Sequence, residues 1–109
     1  MKKHEKIIIE KIKTYSLEAL QFKGDITFEQ FTSDRKTITS CVFNLSQIGE
    51  LIRRLDLDFI EMHNHIPWHQ IKGLRNQIVH DYEGLQLKRI WEILTIFLPE
   101  LITNLENLL

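Results

Sequence analysis

The chain has 109 residues, 43% of them hydrophobic and 27% charged. That suffices for one domain with one modest core, residues 1–109, and excludes two independently stable ones. A net charge of −1 excludes a protein that coats nucleic acid through bulk positive charge, so any nucleic-acid contact must be local.

Taken in chain order, the pattern predicts helices throughout. Lys3 to about Gln21 reads as a first helix, with Ile7, Ile8, Tyr15 and Leu20 at helical spacing and Ile12 and Ala19 close to the same stripe. Gly24 stops it, and Asp25 is a candidate cap for the next element. ITFEQF predicts a short helical turn or two. Ser33 or Asp34 caps a second long helix, from about Arg35 to Leu55. Its stripe is Ile38, Cys41, Val42, Leu45, Ile48 and Ile52, with Asn44, Gln47 and Glu50 placed off it. LDFIEMHNH predicts a helical turn and a loop. Pro67 suits the first position of a helix reaching about Tyr82, because its missing N–H would be unpaired there anyway. Gly84 stops that helix, and a last one starts near Leu87 and runs to the end. Pro99 must kink it or split it, since proline removes a backbone bond and clashes one turn back. The sum is an all-α, up-and-down bundle of four to five helices.

Cys41 is the single cysteine and lies in the apolar run TSCVFNL, which predicts a buried, inert thiol and no internal disulfide. The basic N-terminus MKKHEKIIIE has an apolar run of only three residues, too short for a signal peptide. The apolar C-terminal stretch carries Glu92, Glu100 and Glu106 and does not read as a membrane span. A cytoplasmic chain is expected.

LRNQIVHDYEG, from Leu74 to Gly84, concentrates chemistry. At about 100° per residue, Ile71, Leu74, Ile78 and Leu85 form one apolar stripe. Arg75 and Tyr82 line up along its edge, Asn76 lines up with His80, and His80 falls roughly opposite the stripe. On spacing alone this is either a solvent-exposed helix surface or an interface. An imidazole exchanges protons near neutral pH, and a guanidinium grips a phosphate with two parallel hydrogen bonds. Those are the groups that metal-free RNA cleavage needs: a base for the 2′-OH and a cation for the charge growing on the phosphate. One histidine does not easily serve as base and acid together. Two copies of the helix meeting across a two-fold axis would supply two.

The run from Ile66 to Leu101 resembles the HepT-like toxins of the HEPN superfamily. Their shared mark is R-x-x-x-x-H, extended in the HepT-type branch to R-x-x-x-x-H-x-Y. Arg75, His80 and Tyr82 match it. IPW (Ile66 to Trp68), GLRN (Gly73 to Asn76), IW (Ile90, Trp91), LPEL (Leu98 to Leu101) and the earlier NLSQIGE (Asn44 to Glu50) are also family-like. Glu83-Gly84 and Leu85-Gln86-Leu87 depart from the usual pattern, where an aromatic residue precedes the glycine and an acidic residue stands near the start of the last helix. The resemblance implies a compact helical bundle and a metal-independent endoribonuclease that works as a homodimer, with Arg75 and His80 catalytic. It also implies a toxin in a type II-like pair with an MNT-type nucleotidyltransferase antitoxin, which can transfer AMP to the tyrosine, here Tyr82. The substrate is RNA, and no cofactor or metal is implied. Asn76 either orients His80, contacts RNA or makes a simple structural hydrogen bond.

The remaining features have blander readings. His63, His65 and His69 read as surface histidines of a loop rather than a zinc site, because no cysteine or well-spaced carboxylate joins them. Trp68 and Trp91 read as packing residues. Arg53 and Arg54 either help a groove hold RNA or follow the preference for cations late in a helix. Two other functions stay open: a non-catalytic helical partner of a nucleotidyltransferase or nucleotide, and a structural dimer.

Overall fold

The computed structural model describes residues 1–72 and 86–109. Among the described residues every regular element is helical. Helices α1 (Lys3–Lys23), α2 (Phe28–Thr32), α3 (Arg35–Ile52) and α4 (Leu57–Met62) are followed by helical residues 68–72. Beyond the motif come α5 (Gln86–Glu92), a π-helical turn (Ile93–Phe97) and α6 (Leu98–Leu108). No helix among the described residues is long and apolar enough to cross a membrane.

α1 runs two residues past the expected end and closes at Gly24, whose φ of 59° suits glycine and whose N–H donates to the Leu20 carbonyl at 2.9 Å. Its buried stripe is Ile9, Ile12, Ser16 and Ala19. The sequence reading centres this stripe too far to one side: Ile7 is exposed, while Ile8, Tyr15 and Leu20 pack at the edge of the core. Ser16 is tolerated at the centre because its hydroxyl donates to the Ile12 carbonyl at 2.8 Å. Thr27, not Asp25, caps α2. Thr27 Oγ1 accepts from the Gln30 N–H at 3.1 Å, and Gln30 Oε1 accepts from the Thr27 N–H at 2.9 Å.

Of the two candidate caps, Ser33 and Asp34, it is Asp34 that caps α3. Oδ1 accepts from the Thr37 N–H at 3.1 Å and Oδ2 from the Thr37 hydroxyl at 2.7 Å. α3 stops at Ile52, three residues before the expected Leu55. Tighter bonds then close the end, Arg54 N–H to Leu51 O and Leu55 N–H to Ile52 O, and return Leu55 to the core. Asn44, expected off the stripe, is instead buried, with its Nδ2 donating to the Tyr15 carbonyl at 3.0 Å and to Glu18 Oε1 at 3.2 Å. It joins α3 to α1, the pair of helices that pack most extensively among the described residues.

The last stretch resolves the proline problem by splitting. Pro99 stands in the first turn of α6, where a missing N–H costs little. The turn ahead of it widens to π geometry, so that the Leu98 N–H reaches the Ile93 carbonyl. α6 and the π turn also pack against α1. Ile90, Leu94, Leu98, Leu101 and Leu105 enter the same core as Ile9, Ile12, Leu45 and Ile48. Each such side chain contributes about 1.5–3 kcal/mol on full burial.

Candidate functional site

Arg75, Asn76, His80 and Tyr82 lie outside the described residues, as do Gly84 and the part of the motif helix beyond residue 72. The structure shows how the chain enters and leaves that segment. On the entry side, Pro67 immediately precedes helical residues 68–72, and its carbonyl accepts from the Gln70 N–H at 3.2 Å. Ile66, Trp68 and Ile71 are each buried to within 2% of completely. Trp68 Nε1 donates to the His63 carbonyl at 3.0 Å, and the Phe59 ring sits 4.6 Å from the His63 ring and 6.3 Å from the Trp68 indole. The HNHIPWH stretch is therefore an aromatic anchor. Its histidines do not assemble a ligand set among the described residues.

On the exit side, Ile90 and Leu94 are fully buried. Trp91 is held by Phe28 and Phe31, with ring centroids 5.7 and 5.1 Å away, and the Lys23 ammonium lies 4.9 Å over its ring. Both tryptophans thus act as packing residues, as the sequence suggests. Arg89 pairs with Glu92 at 3.7 Å and lies 5.5 Å over Phe97, which orients it along its own helix.

Arg53 and Arg54, adjacent in sequence, face different surfaces. Arg53 lines a groove of 160 Å³ together with His69 and Lys72, over a floor that includes Ile52, Leu55 and Trp68. Arg54 lines a cleft of 570 Å³ between α1 and α3, in company with Glu10, Glu18 and Glu50. The sequence reading treats the two arginines as a unit, takes His69 as a surface residue and does not single out Lys72. The one available signal is the three-residue spacing of His69 and Lys72, which places them on one face of a helix.

Two other chemical groups have structural roles. Cys41 is buried, its Sγ 3.6 Å from the Ala19 carbonyl, and burial pushes its thiol up to about 11. It is no nucleophile at neutral pH. His4, Glu5 and Asp56 each place one donor atom within 4.8 Å of the others. Those atoms have protein partners: His4 Nε2 meets Asp56 Oδ2 at 3.2 Å, Lys2 Nζ reaches the same oxygen at 3.5 Å, and Glu5 Oε1 accepts from the Lys2 N–H at 2.8 Å.

The family model described as "Ribonuclease HepT-like" matches residues 7–108. A protein of Thermococcus cleftensis provisionally named ribonuclease HepT is 30% identical over 109 residues, covering 99% of this chain and 98% of its own. A provisionally named RNase of Methanocaldococcus jannaschii is 32% identical over 92 residues, covering 84% and 76%. Another, of Caldanaerobacter subterraneus subsp. tengcongensis, is 34% identical over 84 residues, covering 77% and 75%. No solved structure matches the chain. The family match spans the motif and nearly all of the helical frame around it, so the chain belongs to the HepT-like ribonuclease family.

Proposed function

We propose that the chain is a metal-independent endoribonuclease, the toxin of a type II-like toxin–antitoxin pair, acting as a homodimer through Arg75 and His80. The observation that carries this reading is the coincidence of two findings. The ribonuclease family match covers residues 7–108, and inside it Arg75, His80 and Tyr82 stand at the spacing R-x-x-x-x-H-x-Y.

In the reaction, His80 of one copy takes the proton of a ribose 2′-OH. The 2′-oxygen attacks the adjacent phosphorus, and the bond to the 5′-oxygen breaks. His80 of the second copy returns a proton to that oxygen, leaving a 2′,3′-cyclic phosphate and a 5′-OH end. The Arg75 guanidinium stabilises the extra negative charge on the phosphoryl oxygens. Asn76, four residues before His80 in sequence, orients the imidazole or contacts the RNA. The partner is a nucleotidyltransferase of the MNT type. AMP on Tyr82 would set a negative charge and a bulky base beside Arg75, where the scissile phosphate must sit.

The test is RNA cleavage by the purified chain in EDTA, beside His80→Ala and Arg75→Ala. General acid–base catalysis and charge stabilisation each contribute on the order of 100-fold or more, so each variant should lose at least that much while keeping its circular dichroism and oligomeric state. If the three cut alike, the active site lies elsewhere. If none cuts cellular RNA, the chain is a non-catalytic partner of the nucleotidyltransferase.

A further inference from the structure

We infer that the groove between the end of α3 and helical residues 68–72 binds the phosphate backbone of the RNA flanking the cleaved bond, with Arg53 and Lys72 as its phosphate contacts. The ligand assignment rests on the ribonuclease reading above.

The chain's net charge of −1 provides no general attraction for RNA, so affinity must come from a local concentration of cations. This groove supplies one. Two cations, Arg53 and Lys72, line it from two elements together with His69, and no carboxylate is among its described lining residues. The three side chains are exposed, over a floor whose Ile52, Leu55 and Trp68 are nearly fully buried. The charged heads of Arg53 and Lys72 are thus carried on a packed base. The ion pair of Arg53 with Glu50 is long, at 3.9 Å, and the Arg53 side chain is half exposed, which leaves its guanidinium open to a second anion.

Size and position narrow the occupant. At 160 Å³ the groove is well below the roughly 300–1,000 Å³ of a typical small-molecule pocket. It suits a contact along a polymer backbone, not an enclosed metabolite. Lys72 stands three residues before Arg75, so the groove opens at the entrance to the motif segment. Arg54 serves as an internal contrast, because in its cleft three glutamates, which repel phosphate, outnumber the two cations Arg54 and Lys11.

The experiment measures binding apart from chemistry. A single-stranded oligoribonucleotide with 2′-O-methyl groups cannot be cleaved, and its affinity is followed by fluorescence anisotropy between low and moderate salt. Arg53→Ala and Lys72→Ala should each weaken binding several-fold and lower the salt slope by roughly 0.7, the loss of one phosphate contact on a single strand. Arg54→Ala should change neither. On cleavable RNA, the first two variants should raise KM with kcat little changed. The inference falls if the oligonucleotide does not bind, if Arg53→Ala and Lys72→Ala bind as the wild type does, or if Arg54→Ala is equally damaging. A chain that binds through Arg53 and Lys72 but cuts no RNA keeps the groove and overturns the nuclease reading. A chain that cuts RNA with normal affinity in both variants does the reverse.

Discussion

Asn44 shows at the scale of one residue what a local pattern conceals. Its spacing from Cys41 and Ile48 is that of the buried stripe, yet an amide is assigned to solvent when read by polarity alone. What keeps it inside is a pair of acceptors on another helix, the Tyr15 carbonyl and Glu18 Oε1, 29 and 26 residues earlier in the chain. Both contacts use the amide N–H groups as donors, and this makes the site selective. Asn44→Ala should cost about 1–2 kcal/mol for the lost hydrogen bonds and the small void. Asn44→Asp should cost more at neutral pH, because it turns a donor into an anion that faces a carbonyl and a second carboxylate. The disadvantage of Asn44→Asp should narrow on acidification, as the buried carboxyl gains a proton and can donate again. Urea unfolding of the three proteins at neutral and mildly acid pH checks this order. Equal midpoints for the two variants at neutral pH would show that the contacts with α1 are not what hold Asn44.

Among the elements, α3 and the final helical stretch obey the sequence to different degrees. The start of α3 was legible because the signal is local: Asp34 three residues before Thr37 is enough to build the cap. Its end was less so, since Leu55 continues the apolar pattern although the helix stops at Ile52, and only the tertiary core pulls Leu55 back in. Pro99 announced a break from its covalent structure, but not the π turn that accommodates it, because which of two repairs a helix adopts depends on how both halves pack. The Asp34 cap carries a pH signature. Its carboxyl is held below the usual 3.8, first by the side-chain hydrogen bond from Thr37, then by the backbone N–H of Thr37. A depressed folded-state value means the stabilisation is present above the unfolded-state value and is lost as pH falls through the folded one. Asp34→Ala should therefore lower Tm near neutrality, with the gap from wild type closing below about pH 4 as the ordinary carboxyl range is crossed. Thermal melts of the pair across that range test it. A gap independent of pH would mean that the carboxylate is not the group that matters.

Over the whole molecule, the helical class and the ribonuclease family were both readable, the first from periodicity and the second from a short motif with its flanks in the right order. The frame repeats this in physical form. Ile71 before the motif and Ile90 after it are both buried in the core that α1 and α3 build, so the chain is fixed on either side of the motif segment. The division of labour between Arg53 and Arg54 was not readable, because neighbours in sequence diverge wherever a helix ends and a turn begins, and α3 ends immediately before them. Stoichiometry sets the last constraint. Each chain carries one His80, while in-line cleavage needs a proton taken and a proton given. If two copies share the site, activity belongs to the dimer and not to the chain. Specific activity should then fall as the protein is diluted through its dimer dissociation constant, and the fall should follow the dimer fraction measured by mass photometry at the same concentrations. Salt and pH are held constant, so that RNA affinity does not change with dilution. A monomer that cuts with undiminished specific activity would show that one chain holds the whole catalytic set, and the second proton donor would have to be sought within it.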